Sequence, residues 1–273
     1  MTHSTKTHHR SGALVVLSGG QDSTTCLFWA RRYFDQVHAI TFDYNQRHAR
    51  EIEAAKTVAA MAGVVSHEVV TLGPILNGTS PLTDPTQGLE LYQDHDAMAG
   101  IIGDRVEKTF VPMRNALFLT IAANRAVCLG LEHLVTGVCQ ADNANYPDCR
   151  ESFIEAQQVT IREALGETGG QFSIHTPLMN MSKAESIRFA GDLDGYLALA
   201  YTHTAYDGQY PPVGKDHASV LRAYGFEQAG VPDPLVIRAV AAGLMPMPST
   251  SNYANQEQNE LVLFGISKLA GGV

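Results

Sequence analysis

The chain has 273 residues, 45% of them hydrophobic, and a formal net charge of −9. This length allows a sizeable core, and no apolar run is long enough to span a bilayer, which argues against a membrane partner. The acidic balance has no lysine- or arginine-rich block, which argues against nucleic-acid binding because phosphate neutralisation needs clustered cations. The polar first residues lack the apolar segment of a secretory signal, so we expect a cytoplasmic protein that acts on a small molecule.

Apolar runs alternate with helical patterns along most of the chain, which is typical of βαβ units and a parallel sheet. Strands are predicted over residues 13–17, 37–42, 67–71, 133–136 and 172–175. Helices are predicted over residues 22–33, 48–62, 115–129, 150–165 and 183–191. The pattern predicts an α/β domain over residues 1–200, with a doubly wound, Rossmann-like sheet of five parallel strands.

Two segments interrupt the alternation. Residues 73–104 are rich in turn residues and too long for a plain connection, so we expect either a lid over a site or an oligomer contact. Residues 201–273 contain a loop and two short helical patterns, 218–230 and 234–244, separated by Val-Pro-Asp-Pro. This part is predicted to form a small C-terminal helical appendage.

The four cysteines lie far apart and form no C-x-x-C pair: they are Cys26, Cys128, Cys139 and Cys149. This spacing argues against a disulfide framework and against a zinc site made from one short segment. Covalent catalysis by Cys139 or Cys149 is an alternative, but no histidine stands in a recognisable partner arrangement. We therefore expect reduced thiols that pack in the interior.

The first predicted strand runs directly into a glycine-containing loop, and the first predicted helix follows. Gly19 and Gly20 allow a tight turn whose N–H groups point to one place, and the helix N-terminus adds its dipole. Ser18 and Ser23 add hydroxyl groups, and Asp22 could orient a metal, orient a backbone amide or cap the helix. A turn that serves only packing is the alternative. The stretch predicts an anion site, and the ATP-binding candidates are Leu17, Ser18, Gly19, Gly20, Gln21, Asp22, Ser23 and Thr24.

This loop lacks the Walker ending and the G-x-G-x-x-G spacing, and it resembles S-G-G-x-D-S, the pyrophosphate loop of enzymes that adenylate a carbonyl or carboxyl oxygen. Four further motifs accompany it: TFDYNQRH (41–48), FVPMRN (110–115), HLVTGVCQADNANYPDCR (133–150) and HTPLMNMSKAE (175–185). Together they resemble the 7-cyano-7-deazaguanine synthases of queuosine precursor synthesis, over about residues 13–234. The resemblance implies an ATP-dependent ligase that converts 7-carboxy-7-deazaguanine and ammonia into the nitrile, with ATP and Mg²⁺ as cofactors. We also expect a homodimer.

The implied chemistry suggests roles for particular side chains. A carboxylate becomes an electrophile only when ATP turns one oxygen into a leaving group, and the amide that ammonia forms must be activated again before dehydration. Asp22, Arg114 and Lys183 are the catalytic candidates, with the two cations neutralising phosphate or the substrate carboxylate. The substrate-binding candidates are Arg47, Asn115, Gly137, Asp142, Tyr146 and Asp148.

Structural roles are the alternatives for several of these residues. Each cation could be a solvated surface charge. Asp142 and Asp148 could bind the guanine-like face or magnesium, or they could form the turn and cap around Tyr-Pro-Asp-Cys. Tyr146 could stack on the heterocycle or be a buried aromatic residue.

The chain departs from the family pattern where members usually carry four zinc-binding cysteines. Alignment on Leu-Arg and Gly-Phe (221–222 and 225–226) places Ala205, Val213, Asp216 and Ser219 at those positions. No thiolate remains there, so zinc is not expected and no residue is predicted to bind a metal. We expect packing to hold this loop instead, through Tyr206, Tyr210, Pro211 and Pro212. The alternative is a metal bound in a new geometry by His203, Asp216 and His217.

Met113 stands where the family commonly has glycine. If this position required a positive φ, the methionine would be strained, so we expect the local turn to differ.

Other functions remain in competition. An offshoot of the family could adenylate another acid or stop at the amide, and a catalytically silent nucleotide-binding module could retain the fold. Enzymes that thiolate tRNA also use S-G-G-x-D-S loops, but the acidic balance and the isolated cysteines argue against that activity.

Overall fold

The computed structural model describes residues 9–48, 50–140, 145–166 and 170–270. The strands of this part are β1 (His9–Val16), β2 (Phe34–Asp43), β3 (Ser66–Thr71), β4 (His133–Val135) and β5 (Ser173–His175). The helices are α1 (Gln21–Tyr33), α2 (Arg50–Ala62), α3 (His95–Ile102), α4 (Arg114–Cys128), α5 (Glu151–Leu165), α6 (Lys183–Asp192), α7 (His217–Ala229), α8 (Pro234–Ala241) and α9 (Gln256–Ala270). Short 3₁₀ segments cover Pro147–Cys149, Tyr196–Tyr201 and Ser251–Tyr253.

The five strands form one parallel sheet in the order β3-β2-β1-β4-β5. The chain moves outward from β1 to β3 and then returns to the other side of β1 with β4, so the strand order reverses between β1 and β4. This arrangement confirms the predicted doubly wound α/β fold. It also makes the carboxyl ends of β1 and β4 the expected place for a ligand.

Both faces of the sheet are buried under helices, and consecutive residues of β1 supply opposite sides of the core. Leu14 packs with Leu119 of α4 and Ile154 of α5 on one face. Val15 packs with Leu27 of α1 and Val58 of α2 on the other. A strand buried on both faces has a continuous apolar sequence rather than an alternating one, which is why β1 reads as a run of hydrophobic residues.

Residues 73–104 contain a helix that the sequence did not predict. Asp94 caps α3 by accepting a hydrogen bond from the Ala97 N–H at 2.9 Å. Met98 and Ile102 of α3 pack against Val220 and Leu221 of α7. The segment is therefore attached to the C-terminal part of the chain, while its roles as a lid or an oligomer contact stay predictions.

The C-terminal part contains the two predicted helices, α7 and α8, and a third helix that was not predicted. Helix α9 buries Val262 and Ile266 against Ile237 of α8 and Ala200 of the preceding 3₁₀ segment. Val262 and Ile266 stand four residues apart, the spacing of one helical face, which is the signal that could have predicted α9. In the described part of the chain, no helix combines the length and the apolarity that a bilayer crossing requires.

Candidate active site

A cavity of about 360 Å³ opens at the carboxyl ends of β1, β2 and β4, next to the point where the strand order reverses. Its walls come from the glycine loop after β1, the first turns of α2 and α4, the segment after β4, and residues before and within α7. The volume is in the range of small-molecule sites. The sequence-predicted residues that line it are Leu17, Ser18, Gly20, Gln21, Asp22, Ser23, Arg47, Arg114, Asn115, Gly137, Tyr146 and Lys183.

The glycine loop adopts a conformation that a side chain would disrupt. Gly19 has φ +85°, and a Cβ there would lie 2.2 Å from the carbonyl oxygen of Glu51 and 2.6 Å from the nitrogen of Ala55. The hydroxyls of Ser18 and Ser23 lie 3.0 Å apart and hold the turn closed. The loop is therefore pressed against α2 while the N-terminus of α1 faces the cavity. Gly19 itself does not line the cavity, and Thr24 is buried within α1.

Gln21 carries a buried amide at the cavity wall. The side chain is 2% exposed, and neither its nitrogen nor its oxygen has a hydrogen-bond partner within the described residues. A buried amide without partners is costly in a folded protein. A bound ligand with both donor and acceptor groups, such as a nucleotide, would satisfy it.

Lys183 and Asp22 meet at the glycine loop although 161 residues separate them. The Lys183 ammonium donates to the Asp22 carboxylate at 2.8 Å, and the lysine side chain is 9% exposed. Lys183 is the first residue of α6, whose start is secured by a capping box between Ser182 and Glu185. Gly225 of α7 leaves room for the lysine, since a Cβ there would lie 2.4 Å from Lys183 Cγ.

Arg114 begins α4 and is directed into a cluster of tyrosines. Burial acts to lower the pKa of Arg114, but the neighbouring phenols of Tyr44, Tyr206 and Tyr146 outweigh it and raise this pKa, so the guanidinium stays charged. The preceding residue, Met113, has φ +66° and is 68% exposed. The expectation of a different local turn is thus wrong: the methionine adopts the left-handed conformation itself.

The residues of the segment after β4 take different places. Gly137 approaches α1 so closely that a Cβ would lie 2.9 Å from the Ser23 nitrogen. Tyr146 lines the cavity, and its hydroxyl donates to Glu107 at 3.1 Å. Asp148 is buried outside the cavity lining, where its carboxylate accepts the Asn115 N–H at 3.2 Å. This contact holds the first turn of α4, a structural role outside the Tyr-Pro-Asp-Cys turn, and substrate binding by Asp148 stays a prediction. Asp142 lies outside the described residues.

Arg47 connects the cavity rim to residues 73–104. Its guanidinium donates to the carbonyl oxygens of Pro81 at 3.3 Å and Gln87 at 3.0 Å. Its backbone N–H donates to the carbonyl of Leu82, which also lines the cavity. Arg47 therefore holds this segment beside the cavity.

Several cavity residues were not among the predicted site residues. Glu51 of α2 has a pKa raised to about 7 by burial, although Arg114 opposes this shift. His203 and His217 are buried and have pKa values lowered by burial, and their Nε2 atoms have no partner within the described residues. His203 also joins the glycine loop through its backbone N–H, which donates to the Gly19 carbonyl at 2.9 Å. The sequence singled out His203 and His217 only as alternative metal ligands, and no local pattern marked Glu51, because the three residues reach the cavity from separate elements.

A buried arginine links α7 to the glycine loop. Arg222 makes a two-pronged ion pair with Asp233, at 2.6 and 2.8 Å, and both side chains are about 95% buried. Arg222 also donates to the Thr204 hydroxyl at 2.9 Å, and this hydroxyl accepts the Gln21 N–H at 3.3 Å. Residues of the predicted appendage therefore support and line the cavity.

The zinc implied by the family resemblance does not fit the residues present. Ala205 and Val213 offer no side-chain ligand, and the Asp216 carboxylate is engaged by the N–H and hydroxyl of Ser219 at 3.1 and 2.7 Å. Within the described ranges, no three histidine, cysteine or acidic side chains form a group that could hold a metal ion. The loop that precedes α7 contains a hydrogen bond from the Val213 N–H to Asp207 at 2.7 Å. Of the four residues expected to pack, Tyr210 contacts Arg238 through its ring and hydroxyl.

Comparison with known proteins identifies relatives over most of the chain. The family model described as "Queuosine biosynthesis protein QueC" matches residues 12–230. A 7-cyano-7-deazaguanine synthase from Gloeobacter violaceus is 48% identical over 226 residues, 82% of this chain and 94% of that protein. The same-named protein from Laribacter hongkongensis is 46% identical over 83% of this chain and 94% of its own length. The one from Bacillus subtilis is 38% identical over 79% of this chain and 94% of its own length.

Proposed function

The chain belongs to the family of queuosine biosynthesis protein QueC, and from this premise we propose that it is an ATP-dependent carbon–nitrogen ligase. Its reaction converts 7-carboxy-7-deazaguanine and ammonia into 7-cyano-7-deazaguanine. The observation that supports this proposal most directly is the convergence on one cavity of the glycine loop, the Lys183–Asp22 ion pair and Arg114. Phosphate chemistry needs such a combination of backbone donors and cations.

The sequence of steps follows from the need to make the carboxyl carbon electrophilic before ammonia can attack it. The substrate carboxylate attacks the α-phosphorus of ATP, which releases pyrophosphate and leaves an acyl adenylate. Ammonia then displaces AMP and forms the amide. A second ATP activates the amide oxygen with release of pyrophosphate and one N–H proton, and loss of AMP and the second N–H proton forms the nitrile. Both activations use the same phosphate site, with Lys183 and Arg114 stabilising the negative charge that develops there.

The part of the cavity lined by Tyr146 and Asn115 is suited to the heterocycle. Tyr146 supplies an aromatic ring, and Asn115 supplies an amide whose position is set by Asp148. Gly137 allows the segment after β4 to pass close to α1, so that the ring site and the phosphate site adjoin. We expect the substrate carboxylate to lie between them, within reach of the cations.

Magnesium would enter this site with ATP. Mg²⁺ is commonly held by one or two carboxylates together with substrate phosphates. Asp22 is the carboxylate at the glycine loop, and it fits this use without a cluster of protein ligands. We predict that purified, untagged protein contains far less than one zinc per chain, measured by elemental analysis. Stoichiometric zinc would overturn our interpretation of the loop before α7.

The proposed assembly and location are a homodimer in the cytoplasm, acting on small molecules and not on nucleic acid. The small cavity supports action on small molecules. Light scattering of the purified protein gives the mass in solution, and a monomer would contradict the dimer.

Mass spectrometry of a reaction with 7-carboxy-7-deazaguanine, ammonia and ATP tests the function. We expect the nitrile, with pyrophosphate and AMP released for each activation. Accumulation of the amide alone would favour the offshoot that stops there, and unchanged acid in the presence of ATP turnover would favour a different acid substrate. Absence of any ATP turnover would favour the silent module.

A further inference from the structure

Glu51 is a cavity carboxylate without an assigned task in the proposed reaction. It lies in the first turn of α2, and its backbone carbonyl abuts Gly19 of the glycine loop. Its side chain is half-buried and lines the cavity together with Arg114. In the part of the chain that the structure describes, no side chain hydrogen-bonds to its carboxylate.

The groups that face Glu51 come from four elements. Arg114 of α4 favours the charged carboxylate, whereas Asp216 at the start of α7 disfavours it. Tyr44 after β2 and Tyr206 before α7 also interact with it electrostatically. Burial is the largest influence, and the pKa of Glu51 is raised to about 7. A carboxyl group with this pKa is a much stronger proton acceptor than an ordinary glutamate, and about half of it is ionised at neutral pH.

The other titratable groups of the cavity are less suited to accept a proton. Asp22 is engaged by Lys183 at 2.8 Å. The Cys139 thiol donates to the carbonyl of Met181. The histidines that line the cavity, His48, His203 and His217, have pKa values lowered by burial, so each is a weaker base than a free imidazole.

The last step of the proposed reaction requires a base. The activated amide, which loses its first N–H proton when its oxygen is adenylated, has the form R–C(=NH)–O–AMP. To give the nitrile, the nitrogen must lose its proton, the N–H electron pair must become the third carbon–nitrogen bond, and AMP must leave with the carbon–oxygen electron pair. No oxidation or reduction occurs. The base must therefore lie beside the carbon from which AMP departs, close to the phosphate site.

We propose that Glu51 is the catalytic base that accepts this N–H proton. The inference rests on the proposed function, since it assigns a role within that reaction. Glu51 meets the positional requirement because it lines the same cavity as Gly20 and Asp22 of the glycine loop. Arg114, which lines the same cavity, would stabilise the departing phosphate while Glu51 takes the proton.

The test measures the acid-to-amide rate and the amide-to-nitrile rate separately in E51Q. Glutamine keeps the shape of the side chain but cannot act as this base. The conversion of acid into amide should stay within a few-fold of wild type, whereas the conversion of supplied amide into nitrile should fall by roughly 100-fold or more. The amide should accumulate when the acid is the starting material. E53Q is the matched control, because Glu53 is on the same helix, exposed and paired with Lys56, and both its rates should equal those of wild type.

The pH dependence gives an independent readout. In wild type the amide-to-nitrile rate should rise with pH through an apparent pKa near 7, because the base acts in its deprotonated form. This limb should be absent from the residual rate of E51Q. Circular dichroism shows whether E51Q folds; if it does not, the pH profile of the wild-type protein decides alone. Such a group titrates roughly between pH 5.5 and 8.5. An amide-to-nitrile rate that is independent of pH over this range overturns the proposal.

Two other results would overturn it. If E51Q converts the amide at the wild-type rate, Glu51 is not the base of this step. Equal losses in both rates would show that Glu51 acts by positioning Arg114 and not as the base. A wild-type protein that does not consume the acid is a different result, since it contradicts the proposed function itself.

Discussion

Replacing Gly137 by alanine should impair activation of the substrate without unfolding the protein. A Cβ at this position would lie 2.9 Å from the nitrogen of Ser23 and 3.0 Å from the carbonyl carbon of Asp22. Ordinary contacts of a Cβ begin near 3.4 Å, so the two segments must separate by about 0.5 Å. Both neighbouring atoms belong to the backbone, so no side-chain rotation can relieve the clash. The N-terminus of α1 or the segment after β4 must shift.

The expected loss follows from this displacement. Overpacking of this kind costs about 1–3 kcal/mol of stability, which a domain of this size can tolerate. Since a misplacement of about 1 Å can reduce the rate 100-fold, half that displacement should lower kcat/KM about 10-fold, or about 1.4 kcal/mol of transition-state stabilisation.

Steady-state release of pyrophosphate with 7-carboxy-7-deazaguanine measures this effect, and thermal unfolding monitors the fold. Gly191→Ala is the control, because a Cβ at this position of α6 meets nothing within 4 Å. The control should retain wild-type activity. Wild-type kcat/KM in Gly137→Ala would refute the claim that close approach at Gly137 aligns the phosphate site with the substrate site.

Three further changes test other parts of the site. Lys183→Ala should reduce pyrophosphate release by a factor on the order of 100, because it removes the cation that Asp22 holds at the glycine loop; a loss below about 3-fold would exclude this role. Arg222→Met should lower the free energy of unfolding in urea by about 3–5 kcal/mol, because Asp233 would remain buried without its partner. An unchanged urea midpoint would contradict the expected cost of leaving the Asp233 carboxylate buried and unpaired. Met113→Gly should raise the free energy of unfolding by about 1 kcal/mol, because glycine adopts φ +66° without the strain of a Cβ; a less stable variant would show that the methionine side chain outweighs this strain.

Local sequence was sufficient for most of the secondary structure and for the glycine loop. The predicted strand at 37–42 lies within Phe34–Asp43. The predicted helix at 183–191 begins where α6 begins and ends one residue before the end of α6. Such elements follow from hydrophobic periodicity and turn residues within a few positions. The loop at Gly19 could be predicted because its glycines, its strand and its helix are adjacent in sequence. Helix α3 was missed because it is only eight residues long and lies among turn residues.

The tertiary structure decided which of the distant residues meet. Lys183 contacts Asp22 across 161 residues, and Glu51 reaches the cavity from a helix whose sequence carries no functional motif. Asp148 was placed behind the cavity, where it supports Asn115, although its position in the sequence equally allowed a contact with substrate. The ionisation of Glu51 is likewise a property of the fold, because the pKa of a carboxyl group depends on its burial and on the charges that other elements bring near it. Sequence periodicity reports contacts within one element, whereas these contacts depend on the strand order β3-β2-β1-β4-β5 and on how the helices cross the sheet.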